Sequence, residues 1–290
     1  MRVAAIVRPG ISFQEVPTFH KEPGLVWLDQ LPPHKEDADA VVIFGGDGTV
    51  HRFLPDLVRL QLPVLVVPHG SGNDFARALG LRNWRDSLEA WRSFGAGAGN
   101  VRAIDLGTIT DSGGTKRFFG TVAGVGLDGA VLKRANRLPR WLRGNGGYGL
   151  SLLMVLWRFR AVNMRVRLAG VEKSGPIVLA AFANTPAYGG GMKIAPRAEL
   201  DDGKLDVCLI HEVNRVKLLA VFPRVYSGGH LGLREFESQQ GVGVRVETDT
   251  PWDVNADGEY VCQTPVEIGI EPAALRVIVP SGKIQHPRTH

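Results

Sequence analysis

Two short glycine-rich stretches carry the residue types that could do chemistry. Gly45-Gly46-Asp47-Gly48-Thr49 follows the β-branched run Ala40–Phe44. It precedes apolar residues at Phe53, Leu54, Leu57, Val58 and Leu60, a helical spacing within His51–Leu60. A glycine turn opening a helix turns backbone N–H groups and a partial positive charge toward one point, which suits an anionic phosphate. A carboxylate inside that turn repels phosphate unless a cation stands between them. Asp47 therefore reads as a ligand for Mg²⁺, directly or through water, with a capping Asp in a tight turn as the plainer alternative. The second stretch, Pro68-His69-Gly70-Ser71-Gly72-Asn73-Asp74-Phe75-Ala76-Arg77, repeats the arrangement after the apolar run Pro63–Val67. Ser71 offers a hydroxyl, Asp74 a second carboxylate, and Asn73 or Asp74 a helix N-cap. In a parallel sheet two such loops share the C-terminal edge and can hold one nucleotide.

The elements that must position these loops follow from the pattern around them. Val3–Val7, Ala40–Phe44 and Pro63–Val67 are apolar strands that alternate with helical segments near 51–60, 73–79 and 85–91, which argues for a parallel α/β sheet. Gly95–Asn100 is a Gly/Ala loop and a candidate break. Beyond it lie many short strand-like runs with turn signals between most of them, among them Arg102–Leu106, Arg117–Thr121, Asn163–Leu168, Pro176–Ala183, Lys204–Ile210, Gly243–Glu247, Tyr260–Gln263, Val266–Ile270 and Leu275–Val279. One helix is expected from about Gly147 to Arg160. A β-rich second domain follows from this texture.

The bulk numbers agree with a folded protein. The chain has 290 residues, 44% hydrophobic and 22% charged, within the ordinary range, so disorder is excluded as a first reading. The 34 Lys and Arg exceed the 29 Asp and Glu, a mild excess that favours anionic partners. Cys208 and Cys262 lack any zinc spacing and read as reduced core residues. Val3–Val7 is too short for an export signal, and the apolar stretch Gly149–Trp157 falls short of the roughly 20 residues that span a bilayer.

Taken in order, these motifs resemble the diacylglycerol kinase catalytic family, which includes sphingosine kinases and bacterial lipid kinases. The resemblance continues through Ile104-Asp105-Leu106-Gly107, Gly124-Val125-Gly126-Leu127-Asp128, Asn184-Thr185-Pro186, Gly189-Gly190-Gly191-Met192, Ala195-Pro196, Asp201-Asp202-Gly203-Lys204-Leu205-Asp206 and Asp257-Gly258-Glu259. It covers about residues 40 to 280. It implies an α/β nucleotide-binding domain followed by a β-sandwich-like lipid-binding domain, with Leu275–Val279 returning as the last strand to the first domain. The expected division is 1–103 with 275–290, and 104–274. The implied activity is ATP-dependent phosphorylation of a lipid hydroxyl, on diacylglycerol or a similar lipid alcohol. ATP is expected on Gly45, Gly46, Asp47, Gly48, Thr49, His51, Gly70, Ser71, Gly72 and Asn73. Mg²⁺ is expected in a carboxylate–water network of Asp47, Asp74 and Asp105. Glu259 is the implied general base, grouped with Asp47 and Asp257 as catalytic. A second, structural metal is implied at the Asp202 carboxylate and the backbone carbonyls of Glu199 and Lys204.

The sequence departs from that family after GGDGT, where Val50 is followed by His51-Arg52 in place of Asn-Glu. His51 either donates to phosphate or is a helix residue facing solvent. Arg52 reverses a charge that would sit near Arg77. The GxGxxG of Gly124–Gly129 lacks a surrounding βαβ unit, which argues against a dinucleotide site. No basic patch with interleaved aromatics suggests nucleic acid. Lys133, Arg134, Arg137, Arg140 and Arg143 gather beside Trp141 and the 147–160 helix. They suit either an anionic bilayer surface or the solvated flank of a core helix. The expected setting is cytoplasmic, peripheral at the inner membrane face, with a homodimer compatible. The alternatives carried forward are a soluble-substrate kinase of the NAD kinase or phosphofructokinase type, and a non-catalytic nucleotide or lipid sensor.

Overall fold

The computed structural model describes residues 1–8, 19, 22–127, 129, 155, 157 and 159–283. Asp128, Lys133 to Arg143, nearly all of the 147–160 helix and the segment just after Gly10 lie outside those residues. The chain divides into two compact units, Met1–Leu106 with Pro272–His290, and Gly107–Glu271.

The first unit is built on parallel strands in the order β2-β1-β3-β4, with the end of β15 beside β4. These are β1 (Arg2–Val7), β2 (Val26–Leu28), β3 (Ala40–Gly45), β4 (Val64–Pro68) and β15 (Val266–Ile278). Ala40 to Phe44 and Leu65 to Val67 are almost wholly buried, as near-continuous apolar runs must be when helices cover a parallel sheet. Helix α1 (Asp47–Leu60) buries Val50, Leu54, Leu57 and Leu60, one stripe at helical spacing. The short helix α2 (Asp74–Ala78) follows β4. Helix α3 (Trp84–Gly95) starts on Asn83, whose side chain accepts the N–H groups of Arg85 and Asp86. Ser87 then fixes α3 to the sheet by donating to the Val66 carbonyl at 2.9 Å. The Gly/Ala loop after α3 lies inside this unit, and Asn100 within it is buried and donates to the carbonyls of Ala90 and Val279. Strand β5 (Val101–Asp111) runs from this unit into the next.

The second unit is antiparallel. Its strands are β6 (Lys116–Phe119), β7 (Val122–Gly126), β8 (Val162–Leu168), β9 (Val171–Ala183), β10 (Leu205–His211), β11 (Phe236–Gly241), β12 (Gly243–Thr248), β13 (Asp253–Ala256), β14 (Glu259–Gln263) and the start of β15. The order is β14-β13-β7-β9-β8-β12-β15, and β10 joins β9 and β11. β8 alternates strictly, with Val162, Met164, Val166 and Leu168 inward and Asn163, Arg165 and Arg167 outward. That period of two places its apolar set in the same core as Phe182, Val207 and Val246. A helix not expected from the sequence, α4 (Arg215–Val221), bridges β10 and β11.

The return of the last strand is observed, as Val277 pairs with Val64 in parallel. It is one strand, however, and not the two separate runs read from the sequence. Val266–Ile270 and the run that begins at Leu275 are joined through Pro272 and Ala273 in a single β15, which ends at Ile278. Among the described residues no helix is long and apolar enough to cross a membrane.

Both cysteines are free and buried. Burial pushes the Cys208 thiol up to about 12 and raises Cys262 as well. A thiol reagent at about pH 8 is therefore expected to modify neither in the native protein and both after unfolding, read by mass spectrometry.

Candidate active site

The two glycine loops sit at the C-terminal ends of the adjacent strands β3 and β4, where Gly45 pairs with Pro68. The His69 N–H donates to the Gly45 carbonyl at 2.9 Å. Contact between the loops explains two of the glycines. A Cβ on Gly46 would lie 2.9 Å from the Gly70 Cα, and one on Gly70 would lie 2.6 Å from the Gly46 Cα. Backbone must move to admit either, so both loops are restricted to glycine at their crossing point.

Asp47 completes this lock. Its Oδ2 accepts the Asp74 N–H and its Oδ1 the Phe75 N–H, both at 3.0 Å. The carboxylate of the first loop thus caps the helix that leaves the second. Two sequence readings are corrected here. Helix α1 starts at Asp47 itself, so Gly48 and Thr49 are first-turn helical residues and not part of an open loop before His51. Asn73 occupies the N-cap position of α2 but does not cap it. Its backbone is left-handed at φ 54°. Its side chain turns back to accept from the Gly70 N–H and donate to the Gly70 carbonyl, both at 2.8 Å. The left-handed turn, which Asn tolerates, aims the amide away from the helix and leaves the capping role to Asp47.

The remaining predicted residues of this unit fall nearby. Ser71 is exposed, while Gly72 and His51 are half-buried. His51 lies on α1. Arg52 packs its guanidinium 5.7 Å from the Phe53 ring centre. Arg77 pairs with Asp74 at 2.5 Å, across a carboxylate side chain only 2% exposed. Asp105 is buried on β5, and its Oδ1 accepts the N–H of Ala273, a left-handed residue of β15. Among the described residues no three His, Cys, Asp or Glu side chains gather into a cage that could hold a metal alone. Asp47, Asp74 and Asp105 therefore do not form a closed direct site. Asp47 is half-buried and Asp74 and Asp105 are buried, and carboxylates acting through retained water fit Mg²⁺, which usually keeps several waters and relies on substrate phosphates.

In the second unit, Asp257-Gly258 is the two-residue turn between β13 and β14, with Ala256 paired to Glu259. Both turn residues have positive φ, 52° and 83°, which matches a type I′ hairpin turn. The Asp257 carboxylate anchors it, accepting from the Gly120 N–H at 2.8 Å, the Thr121 N–H at 2.7 Å and the Thr121 hydroxyl at 2.5 Å. Asp257 is thus engaged in holding the turn, and the exposed Glu259 is the carboxylate the turn presents. Asp257→Ala is expected to cost about 3 kcal/mol, from orphaned N–H donors plus a Cβ residue without Asp's tolerance of left-handed backbone. Urea unfolding, with Asp257→Asn as the milder comparison, checks it.

At the DDG turn, Asp202 accepts the Lys204 N–H at 3.0 Å. The Gln240 amide reaches both Asp202 and Asp206 at 3.3 Å. Burial pushes both carboxyls up, and negative Glu199 adds to the effect in each case. A cation would relieve this crowding, so the donor chemistry fits one. Gln240 lies on the polar strand β11 and had no signal of its own in the sequence.

The chain is similar to known proteins along most of its length. Residues 4–109 match the diacylglycerol kinase catalytic domain, and residues 121–279 match the YegS C-terminal NAD kinase beta sandwich-like domain. A diacylglycerol kinase of Mycobacterium tuberculosis is 40% identical over 249 residues, which is 83% of this chain and 77% of that one. The chain belongs to the diacylglycerol kinase family. As a member of that family it is a kinase. A protein of Chromohalobacter salexigens named "Probable lipid kinase YegS-like" is 30% identical over 83% of this chain and 76% of its own. A solved diacylglycerol kinase of Bacillus anthracis shares the fold, with a TM-score of 0.66 at 18% identity and 96% of each chain covered. Within this diacylglycerol kinase family member, sequence reasoning found the loops and the DGE turn. It missed the capping of α2 by Asp47 and the anchoring of Asp257 on Gly120 and Thr121. No local pattern signals either one, since the partners lie 27 and 137 residues away along the chain.

Proposed function

We propose that this chain transfers the γ-phosphoryl group of ATP to a lipid hydroxyl, with diacylglycerol or a similar lipid alcohol as acceptor. The observation that carries this reading is the Asp47 lock, which holds two strand–glycine–helix junctions together on one sheet edge. The α1 N-terminus and the Gly70–Asn73 loop receive the phosphates, with His51 and Ser71 able to donate. Asp47, Asp74 and Asp105 hold Mg²⁺ through water, and the ion supplies neutralisation of phosphate charge. Asp47 has both oxygens fixed by backbone donors, so its charge is preset before substrate arrives, as electrostatic catalysis requires.

Glu259 takes the hydroxyl proton as the lipid oxygen attacks phosphorus. The bond from phosphorus to the bridging oxygen of ADP breaks, and ADP leaves. Asp257 acts as a positioning residue, holding the turn that presents Glu259. The DDG site holds its own cation and braces β10 against β11. The enzyme works from the cytoplasmic face of the membrane as a peripheral protein.

Competition between acceptors tests the assignment. With ATP and Mg²⁺, equal exposure to diacylglycerol in mixed micelles and to NAD in solution is expected to yield phosphatidic acid alone. Phosphorylated NAD without phosphatidic acid would replace this reading with a soluble-substrate kinase.

A further inference from the structure

Between β10 and β11 the chain leaves the sheet. From Val213 to Arg234 it carries four basic residues, Arg215, Lys217, Arg224 and Arg234, and no acidic one. α4 runs directly into a 3-10 turn over Phe222–Tyr226. One side of this excursion is fixed to the body of its unit. Leu218, Leu219 and Phe222, at helical spacing, pack on the core that contains Ile194 and Ala195. Val225 is buried, and its carbonyl accepts the Lys193 N–H at 3.0 Å. His230 is also buried, with Nε2 3.3 Å from the Ile194 carbonyl.

Other apolar residues of the excursion are open. Val216 is 65% exposed, Tyr226 43% and Leu231 38%. The Tyr226 ring is held edge-on by Phe222 at 6.1 Å, so it is oriented and not simply loose. Lys217 is tied to Glu235 at 2.6 Å. Arg215, Arg224 and Arg234 are exposed, belong to the same excursion as the exposed apolar groups and enter none of the ion pairs among the described residues.

From this we infer that the 213–234 excursion docks the protein on an anionic bilayer, with Val216, Tyr226 and Leu231 entering the headgroup boundary and the three arginines facing lipid phosphates. The inference rests on the lipid-acceptor reading for its purpose and on charge complementarity for its occupant. Exposed cations interspersed along the chain with exposed apolar side chains and a tyrosine match interfacial adsorption. Each basic residue near an anionic surface strengthens adsorption about five-fold.

Co-sedimentation with vesicles tests it without nucleotide, so the result does not depend on phosphoryl transfer. Wild type is expected to bind vesicles of phosphatidylcholine with phosphatidylglycerol and to bind pure phosphatidylcholine far more weakly. Arg215→Glu/Arg224→Glu/Arg234→Glu is expected to lose at least about 10²-fold in partitioning to the anionic vesicles, the loss of three positive charges alone accounting for that factor. Val216→Ser/Leu231→Ser provides a second variant with all charges kept, and it is expected to weaken binding as well. Unchanged binding by the folded triple variant, or no vesicle binding by wild type, overturns the inference. So does a triple variant that changes oligomeric state in light scattering while vesicle binding stays the same, which would make this face a contact between copies. Charge-dependent vesicle binding by a wild type that phosphorylates no lipid would leave the docking surface standing and remove the lipid-kinase reading.

Discussion

Glu259→Gln is expected to lower lipid phosphorylation by about 10²–10⁴-fold while leaving the melting temperature unchanged. An alcohol attacks phosphorus poorly until its proton is taken, and a positioned carboxylate supplies about that factor. Glutamine keeps the size and polarity of the side chain and removes only its capacity to accept the proton. Stability is not at stake, because Glu259 is exposed beyond the turn and the anchoring is done by Asp257. Steady-state transfer with wild type and variant side by side, with nucleotide affinity measured separately, gives the result. A variant that keeps wild-type kcat removes Glu259 as the base.

The second large effect is expected at Asp47, where one substitution strikes both fold and chemistry. Each carboxylate oxygen accepts a backbone N–H at the start of α2. In Asp47→Asn one oxygen becomes an NH₂ that faces a donor, and the anionic character of the cap is lost. The cost is about 2 kcal/mol, or roughly 5 °C in melting temperature. Activity is expected to fall further than that loss explains, because the charge proposed to hold Mg²⁺ through water goes with it. Calorimetry and transfer assays on the same preparation separate the two. A variant with unaltered stability would show that the cap is not made in solution.

The parts of this molecule that could be read in advance are those where one residue type has one physical reason. The buried parallel strands announced themselves because Ala40–Phe44 and Pro63–Val67 are continuous apolar runs. β8 did so through its alternation. The glycine loops were visible because a strand, a glycine turn and a helix in that order have few other uses. What stayed hidden depends on partners distant in the chain. β11 reads Phe-Glu-Ser-Gln-Gln-Gly, with no hydrophobic period, and becomes a strand by pairing with β10. Asp47 caps a helix 27 residues away, which no local pattern encodes. Asn73 looked like a cap by type, and its left-handed backbone turned it elsewhere. Val266–Ile270 and Leu275–Val279 read as two runs, but the Ala273 N–H between them is taken up by Asp105 and one strand runs through both. The helix expected at 147–160 and the basic cluster before it lie almost wholly outside the described residues, and the proposed docking face comes from a segment whose helix was not read from the sequence, although Asn214 caps it and Leu218, Leu219 and Phe222 stand at helical spacing.

The most direct measurement is phosphate transfer from labelled ATP with Mg²⁺ to a panel of lipid alcohols in mixed micelles, using the wild-type protein. Labelled phosphatidic acid from diacylglycerol, or the corresponding phosphate of a similar lipid alcohol, is the predicted result. Nucleotide binding with no labelled lipid from any member of the panel would contradict the account and leave a kinase for a soluble acceptor or a non-catalytic sensor.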